Sequence, residues 1–248
     1  MNISGKKVLV TGGGSGIGLA IANAFLAQGA LVTICGRTQE KLDQACADTG
    51  GSMTAIVADI GKPGTAELLK KAVGRAGGID ILVNNAGIQL NYSFFDRSYE
   101  DLSKDIEHEI AINLLGPMKL TAALLPVLQA SEGAAVINIG SVLGIAPKGS
   151  AAVYCASKAG IRNFSRTLRY QAEERGARLH VMDVLVPLVD TDMTAGRGSG
   201  KIPPKQVGEA VVAGLRKNRK EVNVGKVPIF RFIMRIAPRL GYKMLRGS

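Results

Sequence analysis

Short apolar runs alternate along the chain with longer stretches in which apolar residues recur every three or four positions. The runs at 7–11, 31–35, 53–58, 79–83, 134–140, 178–185 and 221–224 have strand length. Several are apolar at consecutive positions, which suits a sheet covered on both faces. Between them, Ile17, Ile21, Ala24 and Phe25 share one helical face, 40–48 reads as helix, and 101–128 is a long helical pattern. Pro117 predicts a bend or break in that last helix near Asn113. Pro203-Pro204 and the apolar pattern over 210–215 open a further helix. Strand and helix in alternation predict one α/β domain over 1–225, a Rossmann-like doubly wound parallel sheet of about seven strands with helices on both faces. No internal repeat or linker interrupts it.

After Gly225 the pattern changes. Ile229, Ile233, Ile236, Leu240 and Met244 fall within one helical arc, and Arg231, Arg235, Arg239, Lys243 and Arg246 on a largely opposed one. Pro238 and Gly241 interrupt this extension, 226–248, so it is expected as two short helices. Its apolar side either docks on the protein, covering a cleft or joining a second subunit, or lies on an anionic membrane surface. Docking is the commoner use of such a segment.

Composition narrows the picture. The chain has 248 residues, 46% of them hydrophobic, enough for one large core. No run approaches the ~18 consecutive apolar residues of a membrane span, and the first residues do not read as a signal peptide. The three cysteines are odd in number and without metal-like spacing, so they read as free thiols in a reducing compartment, and the expected location is cytoplasmic. Two histidines cannot build a multi-histidine metal site. The net charge is +11, but 216–248 holds ten Lys/Arg against Glu221 alone, so +9 belongs to the tail and +2 to the remainder. A nearly neutral body argues against a nucleic-acid partner.

Candidate chemistry begins at Thr11-Gly12-Gly13-Gly14-Ser15-Gly16-Ile17-Gly18, between the first strand and first helix. A glycine turn there lets backbone N–H groups and the helix N-terminus face an anion such as a dinucleotide pyrophosphate. The second strand ends at Gly36-Arg37, where dinucleotide folds contact the adenosine ribose. An acid there would suit NAD; Arg37 suits the 2′-phosphate of NADP, unless it is only a solvated loop arginine. Asn84-Asn85-Ala86-Gly87 closes the fourth strand with turn chemistry. Ser141 directly follows the fifth. Tyr154 and Lys158, four apart, share a helix face, where an ammonium can pull a phenol's pKa down and make it a tunable acid/base. Taken alone, that spacing also fits an ordinary helix.

Together, the T-G-x-x-x-G-x-G turn, the N-N-A-G strand end and Ser141 ahead of Tyr154-x-x-x-Lys158 resemble the short-chain dehydrogenase/reductase family, over roughly 5–225. The resemblance implies a catalytic group of Asn113, Ser141, Tyr154 and Lys158. In it Tyr154 exchanges the proton, Ser141 steadies the carbonyl oxygen, Lys158 lowers the tyrosine pKa and holds the nicotinamide ribose, and Asn113 anchors a water. It implies a cofactor site of Gly12, Ser15, Gly16, Ile17, Gly18, Arg37 and Ile60, with Asp59 at the adenine amino group. Asn85, Ala86 and Gly87 line the adenosine ribose, Thr191 bonds the nicotinamide carboxamide, and Val189, Tyr154 and Lys158 belong to the same cofactor site. Asp59 is equally a residue that introduces a helix. One departure stands out: Val186-Pro187 replaces the family's usual Pro-Gly, which affects the loop path over the nicotinamide. The segment 194–204, with three glycines, reads as a mobile lid. The implied function is NADP(H)-dependent interconversion of a small carbonyl and its alcohol by a homo-oligomer, a dimer or tetramer joined through helices at 113–128 and 151–174. Ile88, Leu90, Val142, Leu143 and Ile145 suggest an apolar ketone or aldehyde, although such residues also build cores. The alternative is an NADP(H)-binding sensor or scaffold without turnover.

Overall fold

The computed structural model describes residues 1–247. One sheet holds seven strands: β1 (Lys7–Thr11), β2 (Leu31–Gly36), β3 (Met53–Val57), β4 (Ile81–Asn84), β5 (Ala134–Ser141), β6 (Leu179–Val186) and β7 (Glu221–Asn223). All pairings are parallel, in the order β3-β2-β1-β4-β5-β6-β7. The order reverses between β1 and β4, and at such a point the strand ends leave a crevice.

Among the described residues nine α-helices follow in turn: α1 (Gly16–Leu26), α2 (Gln39–Ala47), α3 (Thr65–Arg75), α4 (Tyr99–Ile110), α5 (Gly116–Gln129), α6 (Ala152–Glu174), α7 (Pro204–Arg216), α8 (Val227–Ile236) and α9 (Pro238–Arg246). Alternation along each strand sends side chains to opposite faces, and two cores result. Val8 and Val10 of β1 pack with Ile21 and Phe25 of α1 and Val207, Val211 and Leu215 of α7. Leu9 faces the other way, with Leu69 and Val73 of α3, Leu120, Leu124 and Leu128 of α5, and Leu168 of α6. Each fully buried leucine or phenylalanine stabilises the fold by about 1.5–3 kcal/mol.

The strands lie within two residues of their expected positions. The sequence reading gave no place to α3, whose buried Leu69 and Val73, four apart, are the usable signal. The long helical pattern does break near Asn113: a π turn, Ala111–Leu115, separates α4 from α5, with Pro117 in the first turn of α5. By length and composition the run Tyr99–Gln129 could cross a bilayer, but Leu120, Leu124 and Leu128 are buried in the core.

Asp80 fastens three strand starts. Its carboxylate accepts from the Lys7 backbone N–H at 2.7 Å, Ser131 Oγ at 2.5 Å and Lys6 Nζ at 3.2 Å.

The tail forms two helices, as its prolines predict, but differs in two ways. Gly241 does not interrupt α9. It is buried against α8, where an added Cβ would lie 2.2 Å from Met234 Sδ. Nor is the expected arc the docked one: Val227 and Phe230 are buried, while Ile229, Ile236, Leu240 and Met244 are exposed. The reason is Arg231, whose guanidinium turns inward to Glu221 at 2.7 Å and Asn223 at 3.1 Å, and so sets the roll of α8. The end of α9 is fixed where the Gly149 N–H donates to the Arg246 carbonyl at 3.0 Å. Ser248, the last residue of the expected extension, lies outside the described residues.

Candidate active site

The glycine turn leaves β1 with Gly12 at φ +65°, a conformation that side chains with a Cβ resist. An added Cβ at Gly18 would lie 2.0 Å from the Gly12 carbonyl oxygen, so the start of α1 packs on the turn only as glycine. Thr11 and Asn85 brace this turn from below. Thr11 Oγ1 donates to the Val83 carbonyl and accepts from the N–H groups of Asn85 and Ala86, at 2.9 and 3.1 Å. Asn85 Nδ2 donates to the Thr11 carbonyl at 2.9 Å. The N-N-A-G stretch thus has the structural role expected of it and also lines the space above. Its neighbour Asn84 donates from Nδ2 to Asn138 Oδ1, in the interior of the sheet.

A cleft of about 300 Å³ runs along these strand ends. Gly12, Ser15, Gly16, Ile17, Gly18, Arg37, Asp59, Ile60, Asn85, Ala86, Gly87, Tyr154, Lys158 and Thr191 all line it. Val189 does not: it is buried, bridged to Ile202, and its carbonyl accepts from Thr194 Oγ1 at 2.6 Å. Asp59 lines the cleft but does not cap α3, whose N-cap is Gly64; its side chain closes the turn before that helix. Its Oδ1 accepts from the Gly61 N–H at 3.0 Å and its carbonyl from Thr65 Oγ1 ahead of α3. Thr38, Lys41 and Met193 also line the cleft, and sequence reasoning named none of them. Lys41 crosses the mouth to Asp192 at 2.9 Å. Its signal in the sequence was a second cation four residues beyond Arg37. Arg37 itself is exposed, with no side-chain partner among the described residues.

At the inner end β5 and α6 bring three of the four expected catalytic residues together. Ser141 ends β5, and its Oγ accepts from the Leu143 N–H at 3.1 Å. Tyr154 and Lys158 lie one turn apart on α6, with Lys158 Nζ 5.7 Å from the Tyr154 ring centre. Lys158 Nζ donates to the Ile139 carbonyl at 2.8 Å. Asn113 lies behind them at the centre of the π turn, almost wholly buried. It grips Ile88 from both sides, accepting from its N–H and donating to its carbonyl, each at 2.8 Å, and donates to Ser157 Oγ at 3.2 Å. The wide turn thereby fastens α5 to the N-N-A-G strand end and to α6.

The ionisation of the pair differs from what the four-residue spacing suggests. Burial pushes the Tyr154 phenol up to about 12, opposed by its hydrogen bond with Ser141. Burial also pushes the Lys158 ammonium down to about 8, opposed by Asp183. Desolvation outweighs any pull of the lysine on the phenol, because the ammonium faces the ring and the Ile139 carbonyl. The phenol is therefore a neutral donor at pH 7.

Two loops flank this end. Tyr92 N donates to the Ser150 carbonyl at 2.9 Å. With the Asn91 amide oxygen turned to Arg197, it accepts from both terminal guanidinium nitrogens, at 3.0 and 3.1 Å. Arg197 belongs to the glycine-containing segment expected as a lid.

A family model for short chain dehydrogenases matches residues 6–201. The chain belongs to that family. Among its relatives, a ketoacyl reductase of Nostoc sp. is 32% identical over 96% of this chain and 85% of that protein. An uncharacterised oxidoreductase of Bacillus subtilis is 31% identical over 92% of this chain and 91% of that one. Two solved short-chain dehydrogenases share the fold. One, from Burkholderia cenocepacia in complex with NADP, superposes with a TM-score of 0.85 over 100% of both chains at 26% identity. The other, from Sphingobium yanoikuyae in complex with NADPH, gives 0.78 over 96% of this chain and 95% of that one, also at 26% identity. Family membership makes this protein an oxidoreductase and gives the glycine turn, the Asn113 turn and the Tyr154–Lys158 face a common setting.

Proposed function

We propose that this short-chain dehydrogenase interconverts a small carbonyl compound and its alcohol with NADP(H), and that reduction of an apolar ketone or aldehyde is the favoured direction. The observation that carries it is the buried neutral phenol of Tyr154, beside Ser141 and Lys158, at the inner end of a glycine-floored cleft. The cleft suits a dinucleotide phosphate: glycines leave the floor free of side chains, and Arg37 and Lys41 put two cations at its rim. Arg37, without a side-chain partner among the described residues, favours the 2′-phosphate. The two dehydrogenase structures described with NADP and NADPH support the same choice.

A bound nicotinamide supplies the hydride. Tyr154 Oη gives its proton to the carbonyl oxygen. Ser141 Oγ donates a hydrogen bond to that oxygen and steadies its developing charge. Lys158 holds the nicotinamide ribose and favours the phenolate left on Tyr154. Asn113 holds the π turn and Ile88 in place and anchors a water toward Lys158. Asp59 and Ile60 flank the adenine, and Thr191 the carboxamide. The catalytic domain spans 1–225, and the protein works as a cytoplasmic dimer or tetramer. The exposed strip of the 226–248 extension is its surface for a second subunit or an anionic bilayer.

NADPH oxidation across a panel of apolar ketones and aldehydes tests this. Wild type should turn over, and Tyr154→Phe should lose nearly all turnover while binding NADPH within a few-fold. Near-normal kcat in that variant refutes the mechanism. Tight NADPH binding with no consumption of any carbonyl would instead identify a sensor.

A further inference from the structure

Asp183 is the lone acid of β6, in the run Leu-His-Val-Met-Asp-Val-Leu-Val. It is 2% exposed and lies between Asn138 on β5 and Glu221 on β7. Neither carboxylate oxygen accepts a hydrogen bond among the described residues. Arg162 approaches to 3.6 Å, and its Nε also goes without a hydrogen bond. A carboxylate so stripped of donors is unfavourable unless neighbouring positive charge compensates it.

Its position suggests the use. A methyl group on Gly140 would lie 3.1 Å from Oδ1, so the carboxylate presses on the residue before Ser141. Lys158 donates to the carbonyl of Ile139, one residue earlier, and Arg162 follows Lys158 by one turn of α6. The acid therefore lies between β5 and α6, under the Lys158 end of the site.

The charges facing it are Lys158, Arg162 and Arg169 from α6, and Glu221 from β7. Arg169 is committed to the carbonyls of Val181 and Lys220, at 3.2 and 2.8 Å. Glu221 is held by Arg231 at 2.7 Å and Arg166 at 3.5 Å. Lys158 has no ion pair among the described residues; its Nζ donates to the Ile139 carbonyl and lies over the Tyr154 ring. Burial pushes Asp183 up to about 6, with Arg162 opposing and Glu221 adding to the rise, so the acid is ionised at pH 7 and above.

We propose that Asp183 is a positioning residue of this site, the buried counter-charge that keeps Lys158 an ammonium beneath Tyr154. The proposal rests on Lys158 belonging to the catalytic group, so its test includes a readout independent of turnover. In cofactor-free protein carrying carbon-13 at lysine Cε, the Lys158 signal is assigned by its loss in Lys158→Met and then titrated. Asp183→Asn should lower its midpoint by about one pH unit or more. The alkaline limb of kcat/KM for carbonyl reduction should move acidward with it. Because Asp183→Asn strips Arg162 of its counter-charge, the double variant Asp183→Asn/Arg162→Gln is measured alongside, and its midpoint should fall in the same direction. A midpoint unmoved in either folded variant overturns the proposal, even if Tm drops, since that pattern marks a purely structural acid. A wild type that titrates as expected but reduces no carbonyl leaves this inference standing and refutes the catalytic reading instead.

Discussion

In the proposed function, cofactor choice turns on Arg37. It follows the end of β2, where an acid would suit a ribose hydroxyl, and its guanidinium has no partner among the described residues. Arg37→Asp should weaken NADPH roughly tenfold or more, the size of one lost charge-assisted contact, while NADH is weakened far less. Fluorescence titration with both cofactors checks this; an unchanged preference would leave Arg37 a solvated loop charge. The four-residue spacing of Tyr154 and Lys158 was legible in the sequence. The state of the phenol was not, because it depends on how completely β5 and α6 exclude water. Asp183 escaped notice for a related reason: one acid in an apolar strand shows only as an interruption until its neighbours across the sheet are known.

At the scale of elements, Asp80 is the clearest test of what holds the strand starts together. Burial alone would raise its carboxyl, but hydrogen bonds from Ser131, the Lys7 N–H and Lys6 outweigh burial and hold it below the usual carboxylate range. Asp80→Ala should cost about 1–3 kcal/mol at pH 7 in urea unfolding. A group depressed in the folded state stabilises above its unfolded pKa and loses that contribution as pH falls through the folded one. The gap between wild type and variant should therefore shrink on acidification; a constant gap would mean that lost packing, not charge, is responsible. The sheet was readable because parallel strands buried on both faces leave continuous apolar runs, and Pro117 located the break that holds Asn113. α3 was harder, since Lys70 and Lys71 interrupt its inward pair Leu69 and Val73.

At the scale of the molecule, the roll of the tail was illegible because it is set by Arg231 reaching Glu221, a partner on another element. What results is an outward strip with Phe232 61% and Ile236 63% exposed, beside Arg235, Arg239 and Lys243, none in an ion pair among the described residues. Light scattering and vesicle sedimentation, with and without 226–248, separate its uses. If the strip joins subunits, removing it should lower the oligomeric mass. If it meets a bilayer, anionic but not neutral vesicles should capture the intact chain, and salt should release it. Neither change on truncation would refute both.

The cleft also behaves as a passage with a catch across it. Lys41 comes from α2, after the second strand, and Asp192 from beyond β6, so their contact links the two banks of the groove. Both side chains are largely exposed, and pairs of that kind hold weakly and yield to salt. A traveller in this groove should be detained briefly, not imprisoned. Stopped-flow release of NADPH should accelerate with ionic strength, and Asp192→Asn should quicken it by only about twofold while blunting that response. An exit rate indifferent to both would mean that the catch never closes over an occupied groove.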